Sequence, residues 1–115
     1  MARSGDAARL AAYLDAGVPV NLTNSAGDTL LMLAAYYGNP ATVRALIERG
    51  ADVDRVSDRG QTPLAGAVFI GDGEVVRLLV DAGADPTAGA PSALETAVTF
   101  ERTEYLGMLG GEPQK

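Results

Sequence analysis

Two pairs of carboxylates stand two residues apart in the chain, Asp52 with Asp54 and Asp72 with Glu74. General acid–base work or the seating of a cation would use such pairs. Both, however, fall in turn-like segments beside glycine, where an aspartate accepts hydrogen bonds from nearby backbone N–H groups and caps a following helix. Capping is the reading adopted. Ser4, Ser25, Ser57 and Ser92 carry hydroxyls that become nucleophiles only beside a base, and the chain contains no histidine and no cysteine. That composition removes the commonest general base, the commonest metal ligand, thiolate metal sites and disulfides together. Gly71-Asp72-Gly73 is not a phosphate cradle, since it lacks a Lys-Ser/Thr ending and a preceding strand. No catalytic residue, metal ligand or cofactor is expected.

The elements that would position these residues must fit in 115 residues, 47% of them hydrophobic, which suits one domain over residues 1–115. Arg, Asp and Gly interrupt every apolar run before it reaches the roughly 18 to 20 residues of a membrane span. Met1-Ala2-Arg3-Ser4-Gly5-Asp6 has one basic residue and no apolar stretch behind it, so a secretory leader is not expected and a cytoplasmic setting is. The formal net charge is -6 without a basic stripe, which argues against nucleic acid as a partner. Eight of the nine basic residues are arginine, a bias that points to a GC-rich, bacterial genome.

The glycines are periodic. Gly17, Gly50 and Gly83 are 33 residues apart, as are Gly5, Gly38 and Gly71, and Gly27 and Gly60 keep the same spacing. Leu10, Val43 and Val76 recur in this register, and so do Leu14, Ile47 and Val80. Later the register slips by three: Pro91-Ser92-Ala93-Leu94 aligns with Gln61-Thr62-Pro63-Leu64 at an offset of 30, which implies a shortened loop between Asp85 and Ser92. Repetition at this length marks a stacked array. Each unit reads as two short helices and a turn. Thr62 is an N-cap, Pro63 occupies the first helical position, and Gly71 supplies a left-handed stop. A second helix over about Glu74 to Ala82 sets Val75, Val76, Leu79 and Val80 on one face, and Gly83 ends it. Such short helices hold only when stacked, and Ala34, Ala35 and Ala67 allow close approach.

Gly60-Gln61-Thr62-Pro63-Leu64 through Gly83-Ala84-Asp85 resembles the ankyrin repeat, whose pattern is G-x-T-P-L-H-x-A-A-x-x-G followed by V-x-x-L-L-x-x-G-A-D. The match covers about residues 5–109. It implies an all-α solenoid of helix–turn–helix units with short projecting hairpin loops. The units are an incomplete first repeat at 5–20, repeats at 21–53 and 54–86, a C-terminal capping repeat at 87–110 and a tail at 111–115. Two departures stand out. The family's Thr-Pro-Leu-His is Thr29-Leu30-Leu31-Met32 and Thr62-Pro63-Leu64-Ala65 here, so the loop tie that the histidine provides is missing. The first unit supplies only an outer helix, Asp6 to Ala16, leaving Leu10, Tyr13 and Leu14 as an apolar surface open to weak self-association.

The resemblance also implies a function class, because ankyrin arrays are mostly protein-binding scaffolds with a concave face formed by hairpin tips and inner helices. Mapped onto this sequence, the tips contribute Ser25, Ala26 and Asp28, then Asp58, Arg59 and Gln61. The inner-helix ends contribute Tyr36 and Tyr37, Phe69 and Ile70, then Thr99 and Phe100. Four of the chain's six aromatic residues thus fall in one predicted ladder, the residue type enriched at binding hot spots. The expected site is Tyr36, Tyr37, Phe69, Ile70 and Phe100, rimmed by Ser25, Asp28, Asp58, Arg59 and Gln61, and its expected occupant is another protein. The alternative is a structural fragment that assembles with itself through the first repeat.

Overall fold

The computed structural model describes residues 4–109, and the side chains from Leu10 onward except Met108. Among these described residues, seven α-helices and one 3-10 turn follow one another: α1 (Ser4–Asp15), α2 (Leu30–Tyr36), α3 (Pro40–Glu48), α4 (Pro63–Ile70), α5 (Gly73–Asp81), α6 (Ala93–Thr99), the turn Thr103–Tyr105 and α7 (Leu106–Leu109). They form two layers. The inner helices α2, α4 and α6 stack on one another, and the outer helices α1, α3, α5 and α7 stack behind them. The result is an elongated array of 48 × 26 × 21 Å. Among the described residues there is no strand, only the isolated bridges Thr23–Thr29 and Gly89–Ser92.

Local chemistry sets the helix starts. Thr29, Thr62 and Ser92 are the N-caps of the inner helices and accept from the N–H groups of Met32, Ala65 and Glu95. Their register, 33 and then 30 residues, is that of the sequence repeat. Ser92 belongs to a full capping box, since Glu95 Oε1 accepts in return from the Ser92 N–H at 2.8 Å. Asn39 and Asp72 cap the outer helices α3 and α5. Asp72 accepts from both Glu74 and Val75 N–H, so α5 begins at Gly73, one residue before its expected start. This also settles Asp72 as a cap. Gly71 ends α4 at φ 85°, a left-handed conformation that costs glycine nothing.

Between the layers lies an apolar core. Leu31, Leu46, Leu64, Leu79, Val43, Val68, Val75 and Val76 are almost wholly buried, and so are Ala34, Ala67 and Ala97, which keep the inner helices close. The surface expected to open at the first unit is smaller than the sequence suggests. Leu14 is buried at 8% exposure and Leu10 packs against the core, because α1 lies along α3; Tyr13 alone of the three remains exposed, at 57%.

The loops are tied without histidine. Asn24 and Ser57 fold their own hairpins by accepting from backbone N–H groups, Ala26 and Asp28 in one case, Arg59 and Gln61 in the other. Successive loops are then laced together. The Asp58 N–H donates to the Ala26 carbonyl at 3.0 Å, and the Ala90 N–H donates to the Gly60 carbonyl at 2.8 Å. A second lace runs through side chains: Asn21 Oδ1 accepts from Asp52 N–H, and Asp54 Oδ1 accepts from Asp85 N–H at 2.6 Å. Asp52 meanwhile accepts from Asp54 N–H. Both carboxylates therefore serve the backbone, as the capping reading requires.

Candidate functional site: an aromatic groove on the inner face

The last turns of the inner helices bring aromatic rings onto one surface. Tyr36 closes α2, and Phe69 stands one residue before the end of α4, in the same register. Their rings lie near-parallel at 7° with centroids 6.4 Å apart. Phe100 follows α6 directly, and its ring meets Phe69 edge-on at 4.9 Å. Tyr37 meets Tyr36 edge-on at 5.7 Å. The four rings form an unbroken chain across three units. Each stays 40–67% exposed. Core packing therefore does not account for them.

Below the rings runs a groove of about 550 Å³, within the range of small binding clefts. All four aromatics line it, together with Asp28, Arg59 and Gln61 from the hairpins. Arg59 reaches Asp28 across the mouth at 3.8 Å. Asn24 Nδ2 also donates to the Asp28 carboxylate, at 3.4 Å.

Seven of the ten sequence-predicted site residues are thus brought together, and three are not. Ile70 is exposed but turns toward Gly38, in the direction of the outer layer. Asp58 sits over Gly27, against the neighbouring hairpin, where its N–H laces the loops. Ser25 is exposed at a hairpin tip away from the groove wall.

The sequence-based expectation misses the floor. It is built from Met32, Leu33, Thr62, Ala65, Gly66 and Thr96, with Pro91 at one edge. Leu33, Gly66 and Thr96 share the 33- and 30-residue register, a signal that could have found them. Gly66 matters most. It lies within α4, and a Cβ added there meets nothing within 4 Å, so its missing side chain deepens the groove instead of relieving a clash. Behind the wall, Arg102 Nη2 donates to the Phe69 carbonyl at 2.9 Å and steadies the end of α4.

Chemically the groove offers ring faces, one carboxylate and one guanidinium. Among the described residues no group of three carboxylates is placed to hold a metal ion, and no helix is long and apolar enough to cross a membrane.

Comparison with known proteins agrees with this architecture. The family model for ankyrin repeats, in three copies, matches residues 1–90. An ankyrin repeat protein of Pseudomonas aeruginosa is 51% identical over 39 residues, covering 34% of this chain and 23% of that protein. The crystal structure of the human ASB11 ankyrin repeat domain superposes with a TM-score of 0.80 at 31% identity, over 91% of this chain and 48% of that one. This chain therefore spans less than half the length of either relative. With three family repeats over most of its length, the capped helix pairs in register and a solved ankyrin domain that superposes on nearly all of it, the chain belongs to the ankyrin-repeat family.

Proposed function

We propose that this chain is a non-enzymatic module that binds a partner protein across the inner groove. Ankyrin repeats are generally protein–protein interaction modules. One observation supports assigning that role to this face: a continuous chain of four half-exposed aromatic rings across three units. Exposing such rings to water is unfavourable, and at roughly 25 cal/mol per Å² their coverage by a partner is a large driving force. Aromatic side chains also present a rigid contact area that costs little entropy to fix. Asp28, Arg59 and Gln61 supply the polar rim that sets orientation.

The test is a paired capture from source-cell extract. The native chain is compared with a Tyr36→Ala, Tyr37→Ala, Phe69→Ala variant and with an Arg44→Ala, Arg77→Ala control on the outer layer. The proposal expects a protein held by the native chain and the outer-layer control but lost by the groove variant, with circular dichroism confirming the fold. Equal capture by all three places binding elsewhere.

A second reading, self-association through the first unit, draws on the exposed Tyr13, Val18 and Leu22 near that end. Leu14, one of the residues expected to open there, is covered. Sedimentation of the native chain and a Tyr13→Ser, Leu22→Ser variant decides it: a dimer lost in the variant supports this reading.

A further inference from the structure

We infer that the group which seats in this groove is a cationic side chain, an arginine carried on an exposed segment of the partner protein. The inference rests on the groove being the binding face. Charge distribution favours a cation. The inner helices α2, α4 and α6 carry no basic residue and one acidic residue, Glu95. The loops that lead into them, residues 17–29, 50–62 and 83–92, hold five carboxylates (Asp28, Asp52, Asp54, Asp58, Asp85) against two guanidiniums (Arg55, Arg59). Arg44 and Arg77 lie on the outer layer, where Arg44 pairs with Glu74 at 3.7 Å. Of these charges only Asp28 and Arg59 line the groove itself, which leaves the Asp28 carboxylate as the one anionic group inside it, and the surplus of carboxylates on the surrounding loops favours the approach of a cation over that of a carboxylate.

The groove's geometry fits the same group. A guanidinium is planar, stacks on aromatic faces and still donates sideways to a carboxylate. Tyr36 and Phe69 offer near-parallel faces, and Asp28 lies on the same groove wall. The space above Gly66 admits the long aliphatic stem. The groove already holds a weak internal stand-in. Arg59 approaches Asp28 at only 3.8 Å with its side chain 69% exposed, whereas the Asp28 side chain is 15% exposed. A pair this long, with its guanidinium largely in solvent, is readily exchanged for a better-placed guanidinium.

The experiment is an amide NMR titration of the full chain. The probes are a blocked pentapeptide with one central arginine among glycines and the same peptide with citrulline, which keeps the shape and removes the charge. The arginine peptide is expected to shift the amides of Tyr36, Gly66 and Phe69 and to bind at least about fivefold more tightly than the citrulline peptide. Arg59→Gln, which removes the competitor, is expected to tighten arginine binding by about threefold, and Asp28→Asn to remove most of the preference. The amide spectrum of each variant reports its fold directly. Equal binding of both peptides in the groove overturns the cationic assignment while leaving the groove as a binding face. Shifts confined to other surfaces, or none, overturn the assignment too, and the capture experiment judges the groove separately. Weaker arginine binding by Arg59→Gln overturns the displacement argument and the assignment with it.

Discussion

The same substitution, glycine to alanine, should act with opposite sign at Gly66 and Gly60. Gly66 lies inside α4 with open space where a Cβ would stand. Alanine there relieves the entropic cost of a helical glycine and meets no neighbour, so Gly66→Ala should stabilise by about 0.5 to 1 kcal/mol. Gly60 sits at φ 81°, and an added Cβ would stand 2.9 Å from the Ala90 carbonyl oxygen, a backbone atom that cannot swing aside. The left-handed conformation alone costs a non-glycine residue roughly 1 to 2 kcal/mol. The forced retreat of the Ala90 segment also weakens the 2.8 Å bond from Ala90 N–H to the Gly60 carbonyl, worth about 0.5 to 1.5 kcal/mol. Gly60→Ala should therefore destabilise by about 2 to 3 kcal/mol. At an unfolding entropy near 2.1 cal/mol/K per residue, 1 kcal/mol moves the midpoint of a chain this size by about 4 °C. Thermal and urea unfolding followed by circular dichroism should thus show a rise of about 2 to 4 °C for Gly66→Ala and a fall of about 8 to 12 °C for Gly60→Ala. A destabilised Gly66→Ala would mean that the floor of the groove is packed and not open. A neutral Gly60→Ala would mean that the hairpins are not laced.

Other outcomes follow from the caps and laces. Ser92→Ala removes one arm of the capping box on α6 and should cost about 1 kcal/mol in urea unfolding, whereas Glu95→Gln, which keeps an acceptor, should cost less than half of that. Arg102→Ala deletes the bond to the Phe69 carbonyl and should lower stability by about 1 to 2 kcal/mol, with amide shifts spreading to Phe69 and Phe100. Asp85 is held below its usual pKa of 3.8 because its carboxylate accepts from the Thr87 hydroxyl and the Thr87 N–H. A carboxylate with a depressed folded pKa contributes stability that is present above the unfolded value and lost as pH falls through the folded one. Thr87→Ala should raise the Asp85 pKa toward 3.8 in a carboxyl NMR titration, and an unchanged midpoint would contradict the hydroxyl's role.

Much of the fold is legible because the repeat is written in residues with specific backbone uses. Thr62, Pro63 and Gly71 mark a start and a stop whatever surrounds them, and the 30-residue offset sets Ser92 in register with Thr62, as the third inner cap. The groove is half legible. Tyr36 and Phe69 share a register and end on one face, but pattern alone does not choose between Phe69 and Ile70. The sequence of α4, Pro63-Leu64-Ala65-Gly66-Ala67-Val68-Phe69-Ile70, is apolar all round, so periodicity cannot separate its buried face from its exposed one. Stacking decides that, through how each unit is displaced on the next. For the same reason family analogy puts Asp58 and Ser25 on a rim they do not occupy, since the Asp58 N–H is bound to the Ala26 carbonyl of the neighbouring loop and Ser25 stands exposed at its hairpin tip. Sequence pattern alone leads to the expectation of an exposed Leu14; it is covered because outer helices also stack on one another.

The central claim is that the inner aromatic face, not the outer layer, meets the partner. A photoreactive phenylalanine installed in source cells at Phe69, and separately at Arg77 on α5, tests it most directly. The account predicts a covalent adduct with one partner protein from position 69 and none from position 77. An adduct from position 77 with position 69 silent would contradict it.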